Sequence, residues 1–188
     1  QTTAAEDADR TVKSRPAEPD EAYEAEICGE STLENYVKRL YYYVDDNRSP
    51  AAREVAFWVQ AMKEGDVSPA VLGQSFLFSP DRANSYTDGQ AFYTMASYAL
   101  LGTDVTDGNA DAYLPYFAEG GAVQAYKQLF DLTRCVESFA ALGVDVGTMD
   151  DRIPLDRTVL AQEVEAARAT RSTQSTADEA DKATYTPG

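Results

Sequence analysis

The sequence predicts an all-α fold, and three observations predict it. Apolar residues recur at intervals of three, four and seven along most of the chain. Those stripes are bracketed by residues that start and stop helices. No run sustains the alternation of a half-buried strand.

Taken in order, the first helix opens at Ser31-Thr32-Leu33-Glu34, a capping box with Ser31 as the cap. Tyr36, Val37, Leu40, Tyr43 and Val44 form its stripe, and Asp45-Asp46-Asn47 ends it. Ser49-Pro50, Ser68-Pro69 and Ser79-Pro80 each read as a cap followed by proline at the first helical position, where its missing N–H costs nothing. Val55, Trp58, Val59 and Met62 mark the second helix, which places Trp58 in the core, with Gly65 as its stop. Val71, Leu72 and Phe76 mark the third. Thr87-Asp88-Gly89-Gln90 is a second capping box, opening a helix through Phe92, Met95, Ala96 and Leu100 to Gly102. The spacing predicts further helices over about 108–119 and about 121–142, the latter stopped by Gly143. Pro154 breaks the chain, and a thin stripe through Val159, Leu160 and Val164 predicts a last helix over 156–169. Its Glu163, Glu165, Arg168 and Arg171 read as solvated charge.

Composition places this helical body between polar ends. Residues 1–26 are acidic with little to bury and read as a disordered tail. Residues 27–153 read as the helical domain, and 154–188 as the weak helix followed by a second disordered tail from about 170.

Charge removes whole classes of function. The 188 residues carry 32 Asp+Glu against 16 Lys+Arg, a net charge of −16 and a pI near 4.2. A basic groove for nucleic acid does not fit that balance. There is no histidine, which removes Ser-His-Asp and Cys-His nucleophile sites and most zinc sites. No apolar run approaches the roughly 20 residues of a membrane helix. The first residue is Gln1 rather than Met, which reads as a processed or excised chain whose signal peptide lay upstream. Cys28 and Cys135 are either two buried thiols or one disulfide. The missing Met and the acidic composition favour the bond, in an exported protein.

The domain also reads as two copies of one unit 56 residues apart, about 31–84 and about 87–145. Tyr36 falls on Phe92, Val44 on Leu100, Phe57 on Tyr113, Gly65 on Gly121 and Phe76 on Leu132. Stacked units bury faces that neither buries alone.

Tyr36-Val37, Leu40-Tyr41, Arg48, Pro50 and Trp58 resemble the signature of the bacterial domain of unknown function 4214 family. Phe76-Leu77-Phe78-Ser79-Pro80 is similar to the segment closing each repeat of that family, and Phe92, Leu100-Leu101-Gly102 and Asp107 look like the same pattern in the second unit. The likeness covers about 31–145. Ala51-Ala52 replaces the family's turn Asp and Gly, and Leu114 replaces its Trp in the second unit. The resemblance implies an all-helical extracellular bacterial module, distantly like phycobilisome linker domains, with no settled catalytic role.

Few motifs carry chemistry. Asp107-x-Asn109-x-Asp111 has the spacing of the first calcium ligands of an EF-hand, but Ala112 and Ala118 stand where the loop needs Gly and Glu, so a polar turn is the favoured reading and no cofactor is expected. Asp45/Asp46 and Asp150/Asp151 are adjacent carboxylates at helix ends and read as solvated. No nucleophile elbow or phosphate loop occurs. Tyr41-Tyr42-Tyr43 cannot share one helix face, so at least one ring is expected at the surface. The expected function is a non-enzymatic, secreted or cell-surface helical module with an interaction or scaffold role, its partner a protein or an extracellular glycan. The alternative is a carbohydrate- or exopolysaccharide-binding module using Tyr41, Tyr42, Trp58 and nearby acids, with calcium assistance.

Overall fold

The computed structural model describes residues 18–184. Among them the chain forms eight α-helices, one 3₁₀ turn and no strand, the all-α class the sequence predicts. The helices are α1 (Glu21–Gly29), α2 (Leu33–Asp45), α3 (Ala52–Lys63), α4 (Pro69–Leu77), α5 (Gly89–Leu101), α6 (Leu114–Asp131), α7 (Thr133–Ala140) and α8 (Arg157–Thr184), with the 3₁₀ turn at Ala110–Ala112 between α5 and α6. None is long and apolar enough to cross a membrane.

Helix α2 is the centre. It packs against α1, α3, α4 and α5 at once. This overturns the expectation of an exposed ring in Tyr41-Tyr42-Tyr43, which are 5%, 0% and 3% exposed. Each ring meets a different neighbour. Tyr41 sets its edge on Phe76 of α4 at 4.9 Å. Tyr42 meets Tyr23 of α1 at 5.3 Å and its hydroxyl accepts from the Asp20 backbone N–H. Tyr43 stacks on Tyr98 of α5 at 5.2 Å and donates to Glu24 of α1. Four neighbouring helices leave only a narrow strip of α2 in solvent, marked by the Glu34–Lys38 pair, and none of the three rings falls on it.

The same centre holds a buried cation. Arg39 is 6% exposed, and its guanidinium donates to the carbonyls of Ile27, Ala99 and Leu100 at 3.0–3.3 Å. Those carbonyls lie in the last turns of α1 and α5, where a helix leaves acceptors unpaired and its dipole is negative. Burial lowers the Arg39 pKa from its ordinary value, so the three carbonyls do the work a carboxylate would do elsewhere.

Local chemistry moved several predicted boundaries. The cap of α2 is Thr32, which accepts from Asn35 N–H at 3.0 Å, while Ser31 reaches Ser138 instead. The cap of α5 is Asp88, not Thr87. Ser68-Pro69 caps α4 as predicted. Helix α3 starts two residues later than Pro50 implies, at Ala52, and its cap Ala51 supplies no side-chain bond. Ser79-Pro80 starts no helix: the Ser79 carbonyl accepts from Arg82 and Ala83 in a turn. The predicted helix over 108–119 is the 3₁₀ turn followed by the first turns of α6, and the helix over 121–142 is broken. Gly121, at φ +69°, kinks α6, and extended Leu132 separates α6 from α7. That break turns Phe139 onto Tyr36 at 4.8 Å.

The tails are also shorter than predicted. Residues 1–17 and 185–188 lie outside the described residues. Residues 21–26 belong to α1, started by the Asp20 cap and anchored by Ile27 at 0% exposure. Residues 170–184 continue α8.

The expected two units match best at their first helices. Caps Thr32 and Asp88, and left-handed ends Asp46 and Gly102, are each 56 residues apart. Gly65 and Gly121, both at positive φ, keep the same interval. Helices α2 and α5 pack directly on each other. Beyond these positions the correspondence fails, with the 3₁₀ turn and kinked α6 standing where the first stretch has α3 and α4, so the expected two-unit repeat is not confirmed.

Two features fix α4 and lead the chain to α8. Gly73 sits mid-helix because a Cβ there would meet the hydroxyls of Tyr126 and Tyr36 at 2.5 and 2.9 Å. Those hydroxyls donate to the carbonyls of Ala70 and Pro69. Gln74, fully buried, donates to the carbonyls of Asp150 and Arg152 and accepts from Asp150 N–H. The stretch 143–156, without helix, is thereby laid along α4, and buried Leu155 delivers the chain to α8.

Candidate functional site

Helix α8 docks through Leu160 and Val164, 4% and 1% exposed, and a row of arginines. Arg157 pairs with Asp45 at 2.9 Å, with its guanidinium 3.8 Å above the Phe76 ring and 5.3 Å from that of Tyr41. Arg168 donates to the Phe57 carbonyl and lies 4.7 Å over the Phe57 ring. Its Nε stands 3.3 Å from a Glu64 oxygen, close enough for attraction but misaligned for a hydrogen bond. Arg171 pairs with Glu64 and Asp66. Arg152, just before the helix, pairs with Glu163. The solvated reading of Glu163, Arg168 and Arg171 is therefore corrected: they fasten α8 to the body. Apart from Asp66, whose side chain is 5% exposed, these groups are partly exposed, so each pair adds little by itself.

Held in this way, the start of α8 faces the start of α3 across a cleft of about 440 Å³, within the size range of small-molecule and side-chain pockets. Tyr41 and Trp58 form its inner wall, with Phe57 half-buried beside them. Arg53 and Glu54 stand on the α3 rim, and Thr158, Ala161 and Glu165 on the α8 rim. Glu54 accepts from the Tyr41 hydroxyl at 3.3 Å. Arg53 and Glu165 make no ion pair with any described residue. Arg157 Nη1 is buried with no acceptor, while its Nη2 is committed to Asp45.

The residues named from sequence are partly brought together. Tyr41 and Trp58 share this cleft, and Trp58 is buried as predicted, at 3% exposure. Tyr42 faces α1 instead. Sequence reading missed Arg53, Glu54, Phe57, Arg157 and Glu165. A signal was present: Arg157, Ala161, Val164, Arg168 and Arg171 recur at helical spacing and mark one face of α8.

Asp107, Asn109 and Asp111 lie exposed in the loop before α6. Asp104 organises that loop, accepting from the backbone and hydroxyl of Thr106 and from Thr94. Among the described residues no group of three or more His, Cys, Asp or Glu is placed to hold a metal ion.

The expected Cys28–Cys135 disulfide is not formed; both cysteines are free. Cys28 sits at the end of α1, with its sulfur 3.3 Å from the Tyr43 hydroxyl. Cys135 lies in the first turn of α7 at 0% exposure, and burial pushes its thiol up to about 12. The buried Arg39 guanidinium neighbours both thiols, and its site is built on helix-end carbonyls rather than on a bond between sulfurs. Alkylation of the denatured, unreduced chain is expected to add two groups by intact mass. The native chain is expected to react at Cys28 first. No uptake by the denatured chain would restore the disulfide.

The carboxylates paired with Arg152 and Arg171 give a second expected result. Hydrogen bonds from Arg171 hold Asp66 below the usual carboxylate range, and bonds from Arg152 do the same for Glu163 and Asp150. A depressed folded pKa contributes stability above the unfolded value, near 4 for these acids, and that contribution is lost as pH falls through the folded pKa. Asp66→Asn is therefore expected to destabilise the protein at pH 7 by urea denaturation. The gap from wild type should close as pH drops below about 4. A gap independent of pH would contradict the Arg171 pairing.

Compared with protein-family models, curated proteins and solved structures, the chain matches none.

Proposed function

We propose that the protein is a non-catalytic helical interaction module that docks a protein partner in the α3–α8 cleft. The observation that carries this reading is the cleft itself. Two helices frame it, an aromatic wall backs it, and its rims hold Arg53 and Glu165, neither of which has an ion-pair partner among the described residues. Its lining offers no cysteine or histidine, and its one hydroxyl nucleophile type, Thr158, sits exposed on α8. The resemblance to the bacterial domain of unknown function 4214 family supports a non-catalytic role. It also supports an extracellular placement, to which the two free cysteines add nothing.

Glycan binding is the weaker reading. Stacking on sugar needs an open ring face, and Tyr41, Tyr42 and Trp58 are 5%, 0% and 3% exposed.

A photo-crosslinking residue at position 158 tests the proposal in the source cells. The expected result is an adduct of defined mass that disappears when Arg53→Glu is added, with no adduct from the same residue at position 172. Equal adducts from both positions, or none from 158, would overturn it.

A further inference from the structure

The chemistry of the cleft narrows its occupant. Three features at its mouth favour an anion. Arg53 has no acidic partner among the described residues. Arg157, on the cleft lining, keeps one nitrogen, Nη1, buried without an acceptor, and a small turn of its guanidinium would present that donor to an incoming oxygen. Helix α3, 12 residues long, begins at the same place with no side-chain cap, so its first N–H groups and positive dipole end face the rim. Two features argue against a bare anion. Glu54 and Glu165 stand on the two rims and favour N–H donors. Phe57, half-buried, and Ala161 offer an apolar seat. A carboxylate, N–H donors and an apolar side chain within one cleft of about 440 Å³ describe a stretch of peptide.

We propose that the α3–α8 cleft holds a peptide segment of the partner by one carboxylate set against Arg53 and Arg157, beside one apolar side chain seated on Phe57 and Ala161. This rests on the docking function proposed above. The carboxylate forms charge-assisted hydrogen bonds to the guanidinium groups. The peptide's backbone N–H groups face Glu165.

Trp58, the single tryptophan, lines the cleft and reports on it. The full chain is titrated with acetyl-Leu-Asp-amide, acetyl-Leu-Asn-amide and glucuronate while Trp58 emission is followed. The expected result is a saturable change with the Asp peptide, about tenfold weaker binding of the Asn peptide, and no response to glucuronate at the same concentrations. Arg53→Gln is expected to weaken the Asp peptide about tenfold with an unchanged melting temperature, because Arg53 is exposed and unpaired. Arg157→Lys, which keeps the charge near Asp45, is expected to weaken it as well. Equal binding of the Asp and Asn peptides would overturn the carboxylate, and a response to glucuronate equal to that of the peptide would assign the cleft to an acidic sugar. No saturable response to any probe would overturn the site. An adduct at position 158 combined with equal Asp and Asn binding would leave docking standing and remove only the carboxylate.

Discussion

Arg39→Met is expected to cost about 3–5 kcal/mol, the largest effect of any single polar substitution in this chain. The estimate follows from what is left behind. The carbonyls of Ile27, Ala99 and Leu100 lose their donor, and each stranded acceptor in a buried site costs about 1–3 kcal/mol. Removing a guanidinium that burial already disfavours offsets part of that sum. Stability of a domain this size is about 5–15 kcal/mol, so the variant should be near the edge of folding. Arg39→Lys should fall between, because an ammonium lacks the planar fork that reaches two helix ends at once. Urea denaturation of the three proteins checks the order. A Met variant within about 1 kcal/mol of wild type would mean that water satisfies those carbonyls and that α1 and α5 are not tied through Arg39.

Trp58→Ala is expected to cost a similar amount, about 3–5 kcal/mol, the range for large buried aromatics replaced by alanine. Trp58 is 3% exposed and meets the Phe57 ring edge-on at 4.9 Å. It also backs the cleft, so its loss should remove peptide binding together with stability. Phe57→Leu separates the two effects: it keeps an apolar seat, and should weaken docking less than it disturbs the Arg168 stacking. Native Trp58 emission should lie well to the blue of hydrated indole. Emission typical of water-exposed tryptophan would contradict the buried wall.

How much of this was legible in the sequence depended on range. Helix class, the stripes of α2 and α3, the Ser68-Pro69 start and the Gly102 stop are local signals, and they appear where the spacing puts them. The caps slipped by one residue at Thr32 and Asp88 because adjacent residues both qualify, and only the turn of the incoming chain selects between them. Tyr41-Tyr42-Tyr43 misled because an ordinary amphipathic helix keeps a broad wet face, whereas four helices narrow that of α2 to the strip around Glu34 and Lys38. Arg39 was invisible for the same reason. A lone arginine on an amphipathic helix reads as surface until the ends of two other helices meet it. The cysteines misled because pairing was inferred from context, while their geometry is set by α1 and α7 packing near one guanidinium.

The cleft was half legible. Tyr41 and Trp58 were named, but their partners lie on α8, more than 90 residues along the chain. Nothing local announces that α8 folds back along α3. The thin stripe through Leu160 and Val164 undersold it, since arginine rather than apolar area does much of the fastening.

The cleft exists only if α8 is one of its fixed walls, and residue-resolved hydrogen exchange measures this most directly. The prediction is slowest exchange in α2, strong protection across Leu160 to Ala167, and fast exchange from Ser172 onward, where the helix is exposed on every side. Exchange over 160–167 as fast as over 172–184 would contradict it, because the cleft would then have lost one of its two sides.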